Sequence, residues 1–198
     1  MMNSEAKAKV IQETTAYTFG ASEVANPYVE FICTRSDGVM RESMLVNQFG
    51  LIDDDHMHGY DAINPEDNRP IEIKCEQQQG VKSPGKLSGK ATWGSTTDQA
   101  KVESHRKENP WMYVAGFDVN SGQCAYVVRF EFNDSTIYDN MTTTLVKRSA
   151  KTALKTSWKD FENAKSLEVL HFEPKFSDII VKGLYDLLES KVENRKVA

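Results

Sequence analysis

The sequence predicts a fold that mixes α-helices and β-strands. Two segments support this, one with the pattern of a β-hairpin and one with the pattern of an α-helix. Residues 111–117 and 124–132 are strongly apolar and are separated by a turn at 120–122, which is typical of a β-hairpin. Residues 176–192 place apolar side chains at helical spacing, as in a helix with one apolar face. The apolar positions of that helix are Ile179, Ile180, Leu184, Leu187 and Leu188.

The remaining elements follow from periodicity and from the residues that start and stop helices. We predict helices over 5–19, 37–49, 97–107 and 143–165. The second begins at Ser36 or Asp37 as N-cap and ends before Gly50, which suits the C′ position. Residues 28–33 fit either a short strand or a buried helical turn. Short strands at 60–63 and 71–75 flank a proline-rich turn and predict a second hairpin.

Length and composition limit the domain organisation and the chemistry. The 198 residues, 39% of them hydrophobic, suffice for one domain with a core, or one domain with a small subdomain. The three cysteines, Cys33, Cys75 and Cys124, are far apart and predict reduced thiols in or near a core. The net charge of −5 argues against a non-specific nucleic-acid binder, although a local basic surface would be enough to contact phosphates.

Targeting signals are not apparent in the sequence. No apolar segment approaches the ~20 residues that span a bilayer. The polar N-terminus has no signal-peptide apolar segment. We therefore expect no membrane partner and a cytoplasmic protein, in a bacterium or in a phage-infected host cell.

The second hairpin carries the residues with the most suggestive chemistry. Alternate residues of a strand point to one side, so Glu72 and Lys74 share a face, while Ile71, Ile73 and Cys75 face a core. Asp61, on the preceding strand, can come alongside Glu72. Two carboxylates and an ammonium would then meet at one edge. The carbonyl oxygen of Ile73 would be a further oxygen ligand.

Such a group suits metal-assisted phosphodiester hydrolysis. The reaction needs a hard divalent cation held by oxygen ligands. The cation lowers the pKa of a bound water and stabilises charge on phosphorus, and a nearby lysine can orient that water or neutralise the oxyanion. The alternative for Glu72 and Lys74 is an ion pair on the surface of an edge strand.

Asp61 followed by the Ile71-Glu72-Ile73-Lys74 segment resembles the signature of the PD-(D/E)XK nuclease superfamily. Many restriction endonucleases, Holliday-junction resolvases and RecB-type nuclease domains belong to it. The chain departs from the pattern because Gly59 and Tyr60, not proline, precede Asp61. The resemblance covers roughly residues 37–79. The family often has a glutamate on a helix before the first aspartate, and Glu42 matches that place.

The resemblance implies an α/β core with a central mixed β-sheet flanked by helices. It also implies DNA cleavage with Mg²⁺, which Mn²⁺ could replace, by a single nuclease domain over 1–198. Asp61, Glu72 and the Ile73 carbonyl would hold the metal. Lys74 would position or activate the water, with Glu42 as a further member. A type II restriction-like enzyme, acting as a homodimer, is the leading interpretation. A phage or recombination nuclease is the alternative.

Residues 77–97 predict a loop that contacts DNA, since no acidic residue occurs there. Lysines and backbone amides of such a loop can meet phosphates, and an aromatic ring can stack on a base. The alternatives are an ordinary mobile loop and, for Glu76 and the glutamines after it, a solvated strand end. The predicted DNA-contacting side chains are Gln77, Gln79, Lys82, Lys86, Lys90 and Trp93.

Other interpretations stay open. The acidic turn at 53–58, with His56 and His58, could hold a metal in a phosphohydrolase of another fold. His105 and His171 lie in segments without metal-ligand neighbours. The basic predicted helix at 143–165 could bind phosphates or be merely solvated. The protein could also bind DNA without cutting it. No phosphate-binding loop motif occurs, so no nucleotide cofactor is expected.

Overall fold

The computed structural model describes residues 4–21, 38–53, 59–78, 85–93, 99–147 and 154–197. The five α-helices in these ranges are α1 (Ser4–Thr18), α2 (Gly38–Gln48), α3 (Gln99–Glu108), α4 (Ile137–Lys147) and α5 (Lys182–Val197). The strands are β1 (Ile52–Asp53), β2 (Ala62–Ile63), β3 (Pro70–Gln77), β4 (Ala91–Trp93), β5 (Trp111–Phe117), β6 (Cys124–Glu131), β7 (Leu154–Thr156) and β8 (Glu168–Phe172).

Six strands form one mixed sheet, in the order β1-β2-β3-β5-β6-β8. Its neighbours pair antiparallel except β3 and β5, which run parallel with Glu72 opposite Met112 and Lys74 opposite Val114. A parallel pair needs a long crossover, because its strands start at the same edge of the sheet. Here the crossover contains β4 and α3. A separate two-stranded sheet pairs β4 with β7.

Helices cover both faces of the six-stranded sheet, because its central strands are apolar on both sides. One face packs Ile71, Ile73 and Tyr113 against Met44 and Leu45 of α2, with α1 lying on α2. On the opposite face, residues of β5 and β6 pack against α3, α4 and α5. That cluster includes Val102, Met112, Val114, Val128, Met141, Leu184 and Leu188. The predicted α/β class, with a central mixed sheet and flanking helices, is confirmed.

Most local predictions near the N-terminal half are confirmed. The helices predicted over 5–19, 37–49 and 97–107 appear as α1, α2 and α3. Gly50 follows α2 with a φ of 62°, the left-handed conformation expected at C′. Both hairpins form. Cys75 and Cys124 are free thiols, the second buried. Residues 28–33, the N-cap at 36–37 and most of the 53–58 turn lie outside the described residues.

The prediction of one helix over 143–165 is wrong. Helix α4 ends at Lys147, and the chain later forms β7 and then a 3₁₀ turn, Trp158–Asp160. That turn is stabilised by a capping box, in which the Ser157 and Asp160 side chains each bond the other residue's backbone. The lysine spacing suggested a helix. The pairing of β7 with β4, more than sixty residues away, determines the structure instead.

Two further predictions need correction. The C-terminal helix was predicted from residue 176, but a 3₁₀ segment, Pro174–Ile179, precedes α5. Residues 77–97 are not one continuous loop: Gln77 still belongs to β3, Leu87 bridges to Ile180, and β4 follows. Among the described helices, none is long and apolar enough to cross a membrane.

Candidate active site

The side chains of β3 divide by alternation. Ile71 and Ile73 are fully buried on the face that α2 covers. Glu72, Lys74 and Glu76 alternate with them and point to the opposite side. Glu72 and Glu76 are buried, whereas the Lys74 side chain keeps 18% of its surface exposed. Glu72 and Lys74 do form the ion pair of the alternative interpretation, but the pair is largely buried rather than on the surface.

Asp61 immediately precedes β2 and is held against β3 by two hydrogen bonds. Its backbone N–H donates to the carbonyl oxygen of Ile71 at 3.0 Å. Its side-chain Oδ2 accepts from the backbone N–H of Ile73 at 2.6 Å. The hairpin turn is short, so the carboxylate of Asp61 cannot move away from β3 without breaking this pairing. The predicted meeting of Asp61 with the Glu72 strand therefore takes place.

The ammonium of Lys74 lies where three oxygen atoms converge. Its Nζ donates to Glu72 Oε1 at 2.5 Å and to the carbonyl oxygen of Ile73 at 3.1 Å. Asp61 Oδ2 is 3.8 Å from the same Nζ. These oxygens belong to the three residues that the sequence predicts as metal ligands. One cation already occupies their common centre, and it is the protein's own.

Electrostatics at the site reflect this pairing. Burial raises the pKa of Glu72, but its interactions with His105 and Lys74 outweigh burial and hold that pKa at about 2. Burial lowers the pKa of Lys74, yet the charges of Glu72 and Asp61 raise it above its ordinary value. Glu72 is thus a carboxylate and Lys74 an ammonium at neutral pH. The site has charged groups of both signs in a largely buried setting.

His105 belongs to this site, although the sequence alone did not indicate it. Its Nε2 lies 3.9 Å from Glu72 Oε2, beyond the distance of a direct hydrogen bond. The buried ring packs against the rings of Tyr60 and Phe132, with centroids 5.2 and 5.6 Å away. His105 follows buried Val102 by three residues, so helical spacing placed it inward. Its approach to Glu72 depends on the path of the crossover between β3 and β5. Helical periodicity within the sequence does not predict that path.

Glu42 lies on α2, within electrostatic reach of the site. Its negative charge is among the causes that raise the pKa of Lys74. Burial raises the pKa of Cys75 to about 12, and the charge of Glu42 adds to that effect. Glu42 thus lies on a helix before Asp61, as the resemblance implies, and its membership of the site stays a prediction.

The predicted DNA-contacting residues are spread over several elements. Gln77 and Trp93 are the last residues of β3 and β4, and Lys86 and Lys90 are exposed. Gln79 and Lys82 lie outside the described residues. The glutamine that has a defined contact is Gln78, which is buried and accepts a hydrogen bond from the backbone N–H of Val119 at 3.2 Å.

Glu76 is not a solvated strand end, and that alternative is wrong. Its Oε2 accepts hydrogen bonds from the backbone N–H groups of Ser88 at 2.8 Å and Lys90 at 3.0 Å. The same oxygen accepts from the Tyr126 hydroxyl at 3.1 Å, and Oε1 accepts from the Ser88 hydroxyl at 3.3 Å. The buried carboxylate of Glu76 thus ties residues 88–90 to β3.

The oxygen donors at Lys74 suit a small hard cation. Among the described residues, no three side chains of His, Cys, Asp or Glu lie close enough together to form a metal site. Mg²⁺ does not need such a cage, because it keeps several waters and is bound through one or two carboxylates. Asp61, Glu72 and the Ile73 carbonyl provide that number of hard oxygen ligands. The rival metal site at 53–58 lies almost entirely outside the described residues.

No protein-family model matches the chain, and no curated protein is similar to it in sequence. The resemblance to the PD-(D/E)XK superfamily therefore stays a prediction based on the residues of the hairpin.

Proposed function

We propose that the protein is a Mg²⁺-dependent endonuclease that hydrolyses DNA phosphodiester bonds, with a core of the restriction-endonuclease type. The observation that carries the proposal is the convergence of Asp61 Oδ2, Glu72 Oε1 and the Ile73 carbonyl oxygen on the Lys74 ammonium. Three oxygens that surround one cation have the charge and the arrangement to receive another.

In this proposal, Asp61 and Glu72 are the metal-binding carboxylates, and the carbonyl oxygen of Ile73 assists them. A bound Mg²⁺ supplies a water of lowered pKa and stabilises charge on the phosphate. The hydrogen bond from the Ile73 N–H to Asp61 orients that carboxylate before any ligand arrives. His105 and its ring partners hold the far oxygen of Glu72 in place.

Lys74 would act as a hydrogen-bond donor. Its neighbours keep it protonated, so it can orient a water or neutralise a phosphate oxygen as negative charge develops. It is less suited to remove a proton. Glu42 would act at longer range, through its charge. Mn²⁺, which has similar preferences for oxygen ligands, is expected to replace Mg²⁺.

Cleavage of supercoiled plasmid DNA tests the proposal. The wild-type protein should nick or linearise plasmid with Mg²⁺ or Mn²⁺ and should be inactive in EDTA. Asp61→Asn, Glu72→Gln and Lys74→Met should each lose at least about a hundredfold in rate. Glu168→Gln is the matched control. Glu168 lies on β8, the edge strand of the sheet, and pairs there with Arg129 and Arg195.

Three outcomes would contradict the proposal. Unchanged cleavage in Glu72→Gln or Lys74→Met would remove these residues from the reaction. Binding of DNA with no cleavage under any metal condition would favour the non-catalytic alternative. Loss of cleavage in His56→Ala, with activity kept in Glu72→Gln, would move the reaction to the acidic turn.

The proposal extends to a homodimer that cuts both strands of a symmetric site, as a type II restriction enzyme does. Sequencing the ends of the fragments tests this part. Identical ends at a repeated sequence support a restriction-like enzyme. Ends without a common sequence would instead support a phage or recombination nuclease.

A further inference from the structure

Residues 87–90 form a short segment that the protein holds from several sides. Glu76 accepts both the Ser88 and the Lys90 backbone N–H groups. The Gly89 N–H donates to the Tyr126 hydroxyl at 3.1 Å. The Tyr126 hydroxyl in turn donates to Glu76. One buried carboxylate and one buried phenol therefore bind the three consecutive N–H groups of residues 88–90.

The outer side of the same segment is also bonded. Leu87 exchanges hydrogen bonds with the chain before α5, donating to the Ile179 carbonyl at 2.7 Å and accepting from the Val181 N–H at 2.9 Å. The Ser88 carbonyl accepts from the Trp158 N–H at 2.9 Å. Few backbone groups remain for water to compete for, so the segment is a preformed element and not a mobile loop.

Gly89 shows how closely the segment is packed. Its φ is +68°, in the left-handed region. A Cβ on this residue would stand 2.9 Å from the backbone nitrogen of Trp158 and 2.9 Å from Phe161. Both the conformation and the space require glycine, so the position of the following residue, Lys90, is closely determined.

The small sheet then places two lysines on one outward face. In the register of β4 and β7, Ala91 is opposite Thr156 and Thr92 is opposite Lys155. Ala91 and Thr156 are buried, whereas Thr92 and Lys155 are exposed. Lys90 is exposed and is one residue before Ala91, so it shares the face of Thr92 and Lys155. Lys90, just before β4, is thus a diagonal neighbour of Lys155 on this face.

This face, defined by Lys90, Thr92 and Lys155 and called the lysine face below, is positively charged. No acidic residue occurs in 90–93 or 154–157, and within the described ranges neither lysine has an ion-pair partner. Lys86, one residue before the segment, is also exposed. A protein with net charge −5 has here a local basic surface, whose charge complements a phosphate backbone.

Glu76 connects the lysine face to the candidate active site. It is two residues beyond Lys74 on the same face of β3, a separation of about 7 Å along a strand. Phosphates on one DNA strand follow each other every ~3.4 Å of helix axis. The distance from Lys74 to Glu76, which holds the segment, therefore corresponds to only a few nucleotides along a DNA strand.

We propose that the lysine face binds the DNA backbone. Glu76 is the positioning residue, because it holds this surface in place relative to β3. The inference rests on the proposed nuclease function for its choice of partner. Glu76 acts through Lys90, without contact to DNA. The carboxylate binds neutral N–H and O–H donors, so its purpose at this place is the geometry of residues 88–90.

Binding measurements without metal separate this inference from cleavage. A short fluorescein-labelled DNA duplex is titrated with protein in EDTA, over a range of salt, and the slope of log affinity against log salt is recorded. Lys90→Ala and Lys155→Ala should each weaken binding and reduce the magnitude of the slope by about 0.9, the value for one phosphate contact. Lys9→Ala is the control, because Lys9 is exposed on α1, which packs on the other face of the large sheet.

Glu76→Gln tests the positioning role. The variant should also weaken binding and lower the slope, and adding Lys90→Ala to it should cost less than Lys90→Ala costs alone. A variant that was only less stable would keep the slope and show additive losses. Additive losses, an unchanged slope in the lysine variants, or no salt-dependent binding at all would each overturn the inference. Cleavage without these effects would leave the proposed nuclease intact and refute the lysine face alone.

Discussion

Glu72 and Glu76 are two buried carboxylates on the same face of one strand, and their surroundings differ completely. Glu72 is paired with the Lys74 ammonium at 2.5 Å and has the His105 ring nitrogen 3.9 Å away. Glu76 is bound by two backbone N–H groups and two hydroxyls. The exposed fractions of the two residues, 6% and 7%, do not distinguish them.

The difference shows which buried carboxylate is suited to bind a ligand. A carboxylate whose partner is a side-chain ammonium can exchange that partner for another cation if the side chain rotates away. One whose partners are backbone groups cannot release them without unfolding a segment. Partner type, more than burial, therefore separates a group that binds a ligand from one that organises the structure. Four predictions test that distinction, in order of decreasing effect.

The largest expected effect is on catalysis. Glu72→Gln removes the charge that is proposed to bind the metal and should lower the rate at saturating DNA and Mg²⁺ by about a thousandfold. Glu76→Gln keeps the residue's size and should cost much less at saturation, with its main effect on DNA affinity. Single-turnover cleavage of a plasmid measures both variants. Equal losses of the saturated rate in Glu72→Gln and Glu76→Gln would contradict the distinction between the two carboxylates.

The second effect concerns acid stability. The pKa of Glu72 is held at about 2, below its ordinary value of 4.5. A depressed pKa stabilises the folded state above the ordinary value, and this contribution disappears as the pH falls from 4.5 towards 2. It is of the order of 3 kcal/mol. Urea unfolding in EDTA should therefore show a smaller loss of stability over this range in Glu72→Gln than in the wild type. Parallel pH curves would contradict it.

The third effect concerns stability at neutral pH. In Glu76→Gln the side-chain amide meets buried donors, so the free energy of unfolding should fall by about 2 kcal/mol. Tyr126→Phe removes one donor to Glu76 and the acceptor of the Gly89 N–H, with an expected loss of about 1 kcal/mol. Because the two residues share a network, the double variant should lose less than the sum. Denaturant titration at neutral pH gives all three values, and strict additivity would argue against a shared network.

The smallest effect concerns His105, whose Nε2 lies 3.9 Å from Glu72 Oε2. His105→Gln should weaken Mn²⁺ binding about tenfold, in the way that residues supporting metal ligands do. Calorimetric titration in the absence of DNA measures it. His171→Gln is the matched control, since His171 contacts the Cys124 carbonyl oxygen at 3.1 Å, away from the site. A similar affinity in wild type and His105→Gln would show that His105 serves packing alone.

The sequence predicted the Asp61, Glu72 and Lys74 site because its geometry is local. A short turn and the alternation of a strand are enough to bring these residues together. Helices α1, α2 and α3 were predicted for the same reason, through the spacing of residues along the chain and, for α2, a glycine at its end. Each of these inferences needed only residues near one another along the chain.

The contacts of Glu76 and His105 were not predicted, because they join distant parts of the chain. Tyr126 is fifty positions after Glu76, and His105 reaches Glu72 only through the crossover between β3 and β5. The edge strand β8 was missed because only Val169 of its five residues is buried, so its alternation is weak. Strand β7 was missed because its partner β4 lies in a segment that composition indicates as a loop.

The parallel pairing of β3 with β5 has a consequence for how such a protein could change its substrate. Everything between the two strands, including the lysine face's first strand and the helix that carries His105, is one continuous excursion of the chain. Both ends of that connecting segment are fixed by the pairing of β3 with β5. The residues between can be lengthened or replaced without altering the register of these two strands. Asp61, Glu72 and Lys74 lie outside it. In the proposed function, the metal-binding residues Asp61 and Glu72 therefore lie outside the stretch that contains Lys90, and either stretch can vary while the other is kept.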